Sequence, residues 1–265
     1  TTIESAGYIA HEKDTSMHHF LHPAFQFNGE ELGFWVAKFE PSVADQEDEC
    51  NINPSKENCN KTTLIPKTIP NVTSWRYISV YTTFEVSLNL KHETEIYGWL
   101  LNELDSHNFT NHEWGATAYL STSQYGAKEK VWVNSYHEYK TGCAGSHEDA
   151  FNETICHEYL TENGQKASTT HNIYGVYDMS GSAYERTISN FNNQPGGSEF
   201  LNIDKIAGIE NKYINRYYNS PEQILNNYGM VYDSTVYGDA IYETSFDVAV
   251  SPGLQEGWVG SLTNS

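Results

Sequence analysis

Asn172-Ile173-Tyr174-Gly175-Val176-Tyr177-Asp178-Met179-Ser180-Gly181-Ser182-Ala183-Tyr184-Glu185 decides how the rest of this chain is read. Gly175 and Gly181 allow backbone conformations closed to other residues, and Asp178 and Ser180 can bond their own turn amides. Val176 and Met179 supply apolar anchors between them. Residues of these types in this order favour a tight, buried turn. Turn chemistry alone accounts for each of them, so the stretch specifies a scaffold before it specifies a function.

Working outward, His22-Pro23-Ala24-Phe25 and Gly33-Phe34-Trp35-Val36-Ala37-Lys38-Phe39-Glu40 form an aromatic-rich opening. The segment Pro70-Asn71-Val72-Thr73-Ser74-Trp75-Arg76 leads into the body of the chain. Asn111-His112-Glu113-Trp114-Gly115-Ala116-Thr117-Ala118-Tyr119-Leu120 combines a tryptophan with small residues, and Tyr237 to Ser245 adds a late strand-and-turn pattern. Taken in order with Asn172 to Glu185, these pieces resemble formylglycine-generating enzymes and their non-enzymatic relatives. The resemblance implies a variant of the C-type lectin fold, within a non-catalytic branch of bacterial and phage surface proteins. Related domains close with an Arg-Gly-Gly segment and a Gly-Phe-Arg-Pro strand that do not occur between Ser245 and Ser265, so we expect a domain that is incomplete at its C-terminal end. The start at Thr1, without Met, leads to the matching expectation of an upstream segment.

The enzymes of that family hold copper with a pair of cysteines in the C-terminal part of the domain, and this chain has no cysteine after Cys156. No catalytic role carries over, and the expectation is a protein that is not an enzyme. No cofactor is expected beyond structural calcium, for which the resemblance points to oxygens near Asp178 and Asn190 to Asn193. His18, His19 and His22, and the group His147, Glu148, Asp149, His157 and Glu158, are the clusters able to hold a transition metal. Eleven histidines on an acidic chain also produce such neighbourhoods by accident.

Composition bounds the partners. Thirty-five acidic against fifteen basic side chains give a net charge of -20. Such a chain repels phosphate backbones and anionic lipid, which excludes nucleic acid as a partner. No apolar run approaches the roughly 18–20 residues that span a bilayer, so no membrane insertion is expected. The four cysteines form two sequence-local pairs, Cys50 with Cys59 and Cys143 with Cys156. Their spacing favours two loop-closing disulfides in an oxidising compartment over a zinc site, which stays as the rival reading.

The predicted architecture is α+β and loop-rich. Residues 1–20 form an N-terminal arm for assembly or linkage, and residues 21–265 a single C-type-lectin-like domain with insertions at 45–62 and 141–166. Strands are predicted at Phe34 to Phe39, Trp75 to Val80, Val131 to Val133 and Ile173 to Tyr177. Helices are predicted at Asn111 to Ser121, capped by Asn111, and at Ser220 to Asn227.

The candidate binding residues are Tyr213, Arg216, Tyr217, Tyr218, Asn226, Asn227 and Tyr228, where amphipathic rings alternate with amides and a cation. Such mixtures offer contact area at low entropic cost, although tyrosines that pack on the domain read the same way. Two function classes follow. One is an extracellular, cell-surface or virion-displayed module that recognises a protein or glycan; the other is a structural subunit that assembles with copies of itself through an open sheet edge or the N-terminal arm.

Overall fold

The computed structural model describes residues 10–14, 17–20, 22–27, 30–31, 33–100, 103–128, 134, 136, 138–145, 154–183, 185–194, 203–223 and 230–231. Short strands and short helices alternate with long irregular segments. The chain opens with an antiparallel hairpin of β1 (Ala10–Asp14) and β2 (Met17–Phe20) and a second pair, β3 (Gln26–Phe27) and β4 (Glu30–Glu31). Strand β5 (Ser42–Val43) precedes helices α1 (Glu49–Ile52) and α2 (Lys56–Cys59), and pairs with β6 (Pro66–Lys67) beyond them. Helices α3 (Val80–Asn89), α4 (Thr94–Tyr97) and α5 (Asn111–Tyr119) follow. The pair β7 (Cys143–Ala144) and β8 (His157–Glu158) leads to α6 (Glu162–Gln165). Strand β9 (Ser189–Phe191), helix α7 (Ile203–Ala207), β10 (Asn215–Tyr218) and β11 (Met230–Val231) complete the order. Strands β9, β10 and β11 make a parallel sheet with β10 in the centre.

Side-chain periodicity explains how α3 knits this together. Phe84 and Val86 lie two residues apart, about 200° around a helix, and each is buried in a different cluster. Phe84 packs with Ile188, Ile206, Ile209, Tyr213 and Ile214. Val86 packs with Val43, Trp75 and the Cys50–Cys59 bridge. A third cluster joins Trp114 and Ala118, one turn apart on α5, to Met179 of the signature turn.

Helix α5 begins one residue before the expected cap. The Thr110 hydroxyl accepts from the Glu113 amide at 3.3 Å, and Glu113 Oε2 accepts from the Thr110 amide at 2.8 Å. This reciprocal capping box satisfies two amides that Asn111 would have left to water. Asn111 instead turns inward and donates to the Tyr217 hydroxyl at 3.3 Å.

Three predicted strands are not strands. Phe34 to Phe39 and Ile173 to Tyr177 are irregular, and Trp75 to Val80 is irregular up to the start of α3. Trp75 and Val176 fill clusters, Phe39 and Tyr177 are buried, and Trp35, Tyr77 and Tyr174 are exposed, while the backbone bonds singly across the fold, as in Tyr177 N to Lys38 O (2.8 Å) and Trp75 N to Pro41 O (2.8 Å). The helix expected from Ser220 shows a 3-10 turn at Pro221–Gln223. Val131 to Val133, Tyr237 to Ser245 and 224–229 lie outside the described residues.

Both disulfides form as paired from the sequence. Cys50 joins Cys59 and Cys143 joins Cys156, with Cα separations of 4.8 and 4.9 Å. The zinc alternative is thereby closed for these four sulfurs. Among the described residues no helix is long and apolar enough to cross a membrane.

Candidate functional site

The signature stretch is a buried turn whose bonds run across the molecule. Asp178 has a positive φ of 63°, followed by Gly181 at 76° and Ser182 at 59°. At Gly181 a Cβ would also lie 2.6 Å from the Asn134 carbonyl oxygen, so glycine is required twice over. Among the described residues, Asp178 and Ser180 find their partners outside their own turn. The Asp178 carboxylate accepts from the Gly142 amide (2.9 and 3.0 Å) and the Glu40 amide (3.2 Å), and Ser180 Oγ accepts from the Asn134 amide at 3.2 Å. A local-turn reading missed this because residues more than 30 positions away supply the donors.

Those contacts gather three carboxylates. The Glu40 side chain accepts from the Ala183 amide at 3.4 Å, and Glu185 accepts from the Trp114 indole. Burial pushes Glu40 well above the usual carboxylate range, and the charges of Asp178 and Glu185 push it further. Burial raises Asp178 to about 7 against the pull of its amide donors, and raises Glu185 to about 8 against the pull of the indole. The Gly142 and Glu40 amides favour the charged form of Asp178, as the Ser74 and Ser182 hydroxyls favour that of Glu40, and burial opposes both. Glu40 Oε1 has no hydrogen-bond partner among the described residues. A cavity of about 730 Å³ runs past Trp35, Trp75, Trp99 and Phe109 and reaches both Glu40 and Glu185.

The four described candidate binding residues are inside the protein. Tyr213 belongs to the Phe84 cluster, and its hydroxyl donates to Asp105 at 2.5 Å. Arg216 is buried on β10 and donates to the Ile206 and Ile209 carbonyls at 2.8 and 3.1 Å, tying down the end of α7. Tyr217 and Tyr218 are buried beside it. Of the two readings of this segment, these tyrosines follow the packing one: the side chains hold the parallel sheet and α7 together. Asn226, Asn227 and Tyr228 lie outside the described residues.

Of the oxygens considered for calcium, Asn190 Oδ1 is buried with no hydrogen-bond partner among the described residues, and two others are engaged. Asn192 Oδ1 accepts from the Asn219 amide at 3.3 Å, and Asn193 Oδ1 accepts from Arg216 Nη1 at 3.2 Å. Among the described residues no three His, Cys, Asp or Glu side chains are placed to hold one metal ion. His157 and Glu158 lie on β8, the backbone of His18 and His19 lies on β2, and His147 to Asp149 fall outside the described residues.

Exposed aromatic rings occur elsewhere, at Trp35 and Tyr77 and on two loops that are bonded to each other. Tyr174 is 85% exposed and Tyr125 is 78% exposed. The Ala127 amide donates to the Thr169 carbonyl at 3.1 Å, joining the loops. Each tyrosine precedes a glycine that has no room for a side chain. A Cβ at Gly126 would sit 1.7 Å from the Leu120 carbonyl oxygen, and one at Gly175 would sit 2.6 Å from Thr170 Oγ1.

Polar bonds fix the rest of both loops. Ser123 Oγ accepts from the Tyr125 and Gly126 amides at 3.2 and 3.1 Å. Asn172 Oδ1 accepts from the Tyr174 amide at 2.8 Å and from the Thr170 hydroxyl at 2.9 Å, while Thr169 exchanges two bonds with Val176. Lys128 and His171 both hold positive φ, at 63° and 51°. Strained non-glycine backbone of this kind persists only where surrounding structure imposes it. The tyrosine-glycine pairs were visible in the sequence, but nothing there indicated that the two loops meet.

No protein-family model matches the chain, and no curated protein matches it.

Proposed function

We propose that this protein is a non-enzymatic recognition module, displayed outside the cell or on a virion, that binds a protein or glycan. The observation that carries the reading is the pair of exposed tyrosines on cross-bonded, hydrogen-bond-fixed loops. Loops whose backbone is fixed in advance lose less entropy on contact, which is how loop surfaces on rigid scaffolds achieve affinity, and these two present amphipathic rings to solvent. The two disulfides fit an oxidising compartment. The ordered motifs that resemble formylglycine-generating enzymes support a C-type-lectin-like scaffold without that family's copper cysteines. The mixed helix and short-strand architecture is consistent with it, and the reading calls for no cofactor.

One observation favours a structural subunit instead. Strand β9 lies at the edge of the parallel sheet and presents Phe191 at 44% exposure. An edge with an apolar side chain can pair with another chain. The Ile188 amide, however, donates to the Phe109 carbonyl at 2.7 Å, and Ile188 bridges to Thr110, so the start of that edge is already covered. Native mass spectrometry of the protein from its natural source separates the readings. Recognition predicts a monomer or small closed oligomer, and large open assemblies alone would reverse the order of the two.

A further inference from the structure

We infer that the cavity lined by Glu40 and Glu185 binds a small organic cation, a primary ammonium carried on an aromatic or apolar body. The inference goes beyond the recognition reading, since neither Tyr125 nor Tyr174 lines this cavity. Its volume of about 730 Å³ falls within the span of small-molecule sites, about 300–1,000 Å³. The first argument is a buried acceptor without a donor. Glu40 is 8% exposed, and its Oε1 has no hydrogen-bond partner among the described residues. Its Oε2 takes the Ala183 amide, while the nearby Ser74 and Ser182 hydroxyls bond each other at 3.0 Å. An unpaired buried carboxylate oxygen is costly, and a donor entering the cavity removes that cost. The surroundings hold Glu40 in place: its amide donates to Asp178 at 3.2 Å, and the Trp75 amide donates to the Pro41 carbonyl at 2.8 Å.

The second argument is the balance of charges and donors around the cavity. Its carboxylates are Glu40, Glu103, Asp105, Glu113 and Glu185, against Arg186 and Lys212 and the rings of His107 and His112. Most of these are engaged. Lys212 bonds Asp105 at 2.7 Å, His107 bonds Glu113 at 2.9 Å, His112 meets Asn215 at 3.4 Å, and Glu103 takes the Leu100 amide at 3.0 Å. Arg186 is exposed. Among the described residues no cation is paired with Glu40 or Glu185, and the charge of Glu185 acts on Glu40. Donors that an anion would need are also engaged: the Trp75 and Trp99 indoles donate to the Cys59 and Lys91 carbonyls at 3.1 and 3.2 Å. What remains is acceptor oxygen beside aromatic rings. Trp75 follows Ser74 at the Glu40 side, and Phe109 packs on Trp114, whose indole bonds Glu185. Ring faces attract a cation and cover an apolar body. The cation must carry N–H groups, because Oε1 accepts a hydrogen bond and a quaternary ammonium has none to give. A metal ion would need three ligating side chains in reach, which the described residues do not offer. The ammonium takes the place of the proton that burial favours on these carboxyls, so binding releases protons.

The test titrates the full chain with phenethylamine, phenethyl alcohol and phenylacetate, which share a ring and differ in charge. Nα-acetyl-lysine amide joins them, presenting the ammonium as a protein side chain does. Calorimetry at neutral pH, in buffers of differing ionisation enthalpy and at low and high salt, reads affinity, stoichiometry and proton release. Wild type, Glu40→Gln and Glu185→Gln are compared, with melting temperature recorded; Glu185→Gln carries the test if Glu40→Gln does not fold. The inference expects one ammonium per chain, bound with proton release and at least about tenfold more tightly than the alcohol, with phenylacetate weakest. Salt should change that affinity less than about threefold, because a buried pair is poorly screened. Each folded glutamine variant should weaken the ammonium about tenfold or more and leave the alcohol unchanged. Preference for phenethylamine assigns a free amine and preference for the lysine derivative a partner's side chain; either upholds the inference. Equal affinity for amine and alcohol, several salt-sensitive amines per chain, or ammonium binding that ignores both variants would each overturn it. Failure of both ammonium probes to bind would overturn it as well, and none of these results bears on the Tyr125–Tyr174 loops.

Discussion

Replacing Glu185 with Gln should make this protein more stable in alkali and leave it nearly unchanged in acid. Burial holds the Glu185 carboxyl at about 8 in the folded protein against an ordinary value of 4.5. Between those two values the folded state binds more protons than the unfolded one, so stability is fully present below 4.5 and is lost as pH rises through about 8. Each tenfold displacement of a proton equilibrium is worth about 1.4 kcal/mol, which puts the full loss at roughly 3–5 kcal/mol. Glu185 is only partly buried by its own exposure and lines the cavity, which favours the lower end of that range. Glutamine keeps an acceptor for the Trp114 indole and cannot ionise. Urea unfolding followed by tryptophan fluorescence, from about pH 5 to about pH 9, should show wild type falling more steeply than Glu185→Gln, with the variant ahead by about 3 kcal/mol at the alkaline end. Glu40 and Asp178 titrate in both proteins and leave both with some slope of the same sign. Parallel curves for the two proteins would refute a raised Glu185 carboxyl in the folded protein.

Further perturbations test other parts of the account. Gly181→Ala forces a Cβ against the Asn134 carbonyl at a backbone φ of 76°; it should cost at least about 2 kcal/mol in chemical denaturation, and a neutral result would mean the signature turn relaxes freely. Thr110→Ala removes one side of the capping box and should cost about 1 kcal/mol, read from the same curves. The double substitution Cys50→Ser with Cys59→Ser opens a short loop inside the Val43–Trp75 cluster. It should lower stability by roughly 2–3 kcal/mol, and no change in the unfolding midpoint would contradict a structural bridge.

What could be read in advance follows physical range. The disulfide partners were legible because each pair closes a loop local in sequence. Helix α5 was legible because Trp114 and Ala118 repeat at helical spacing, although its cap fell on Thr110 since a capping box outcompetes an Asn that has a buried partner in Tyr217. The signature turn was legible as a turn from Gly181 and Met179. Its carboxylate chemistry was not, because Glu40, Gly142 and Asn134 reach Asp178 and Ser180 only in the fold. The strands assigned to Phe34–Phe39 and Ile173–Tyr177 failed for a related reason: aromatic and branched residues also serve irregular segments, buried as at Phe39 and Tyr177 or exposed as at Trp35 and Tyr174. The Tyr213–Tyr218 segment shows the limit most plainly. Composition cannot distinguish a ring that stacks on a ligand from one that packs on α7, and here the tertiary structure buries every described ring of that segment. Tyr125 and Tyr174 lie 49 positions apart, and the Ala127–Thr169 bond that unites their loops has no sequence signature.

The most direct test of the recognition account is to label the full chain with a fluorophore and measure saturable binding to whole cells from its natural source, beside a Tyr125→Ala/Tyr174→Ala double variant of verified melting temperature. The account predicts saturable binding by wild type and at least about a hundredfold weaker binding by the folded variant, from two stacking contacts removed together. Equal binding by the two proteins would contradict it.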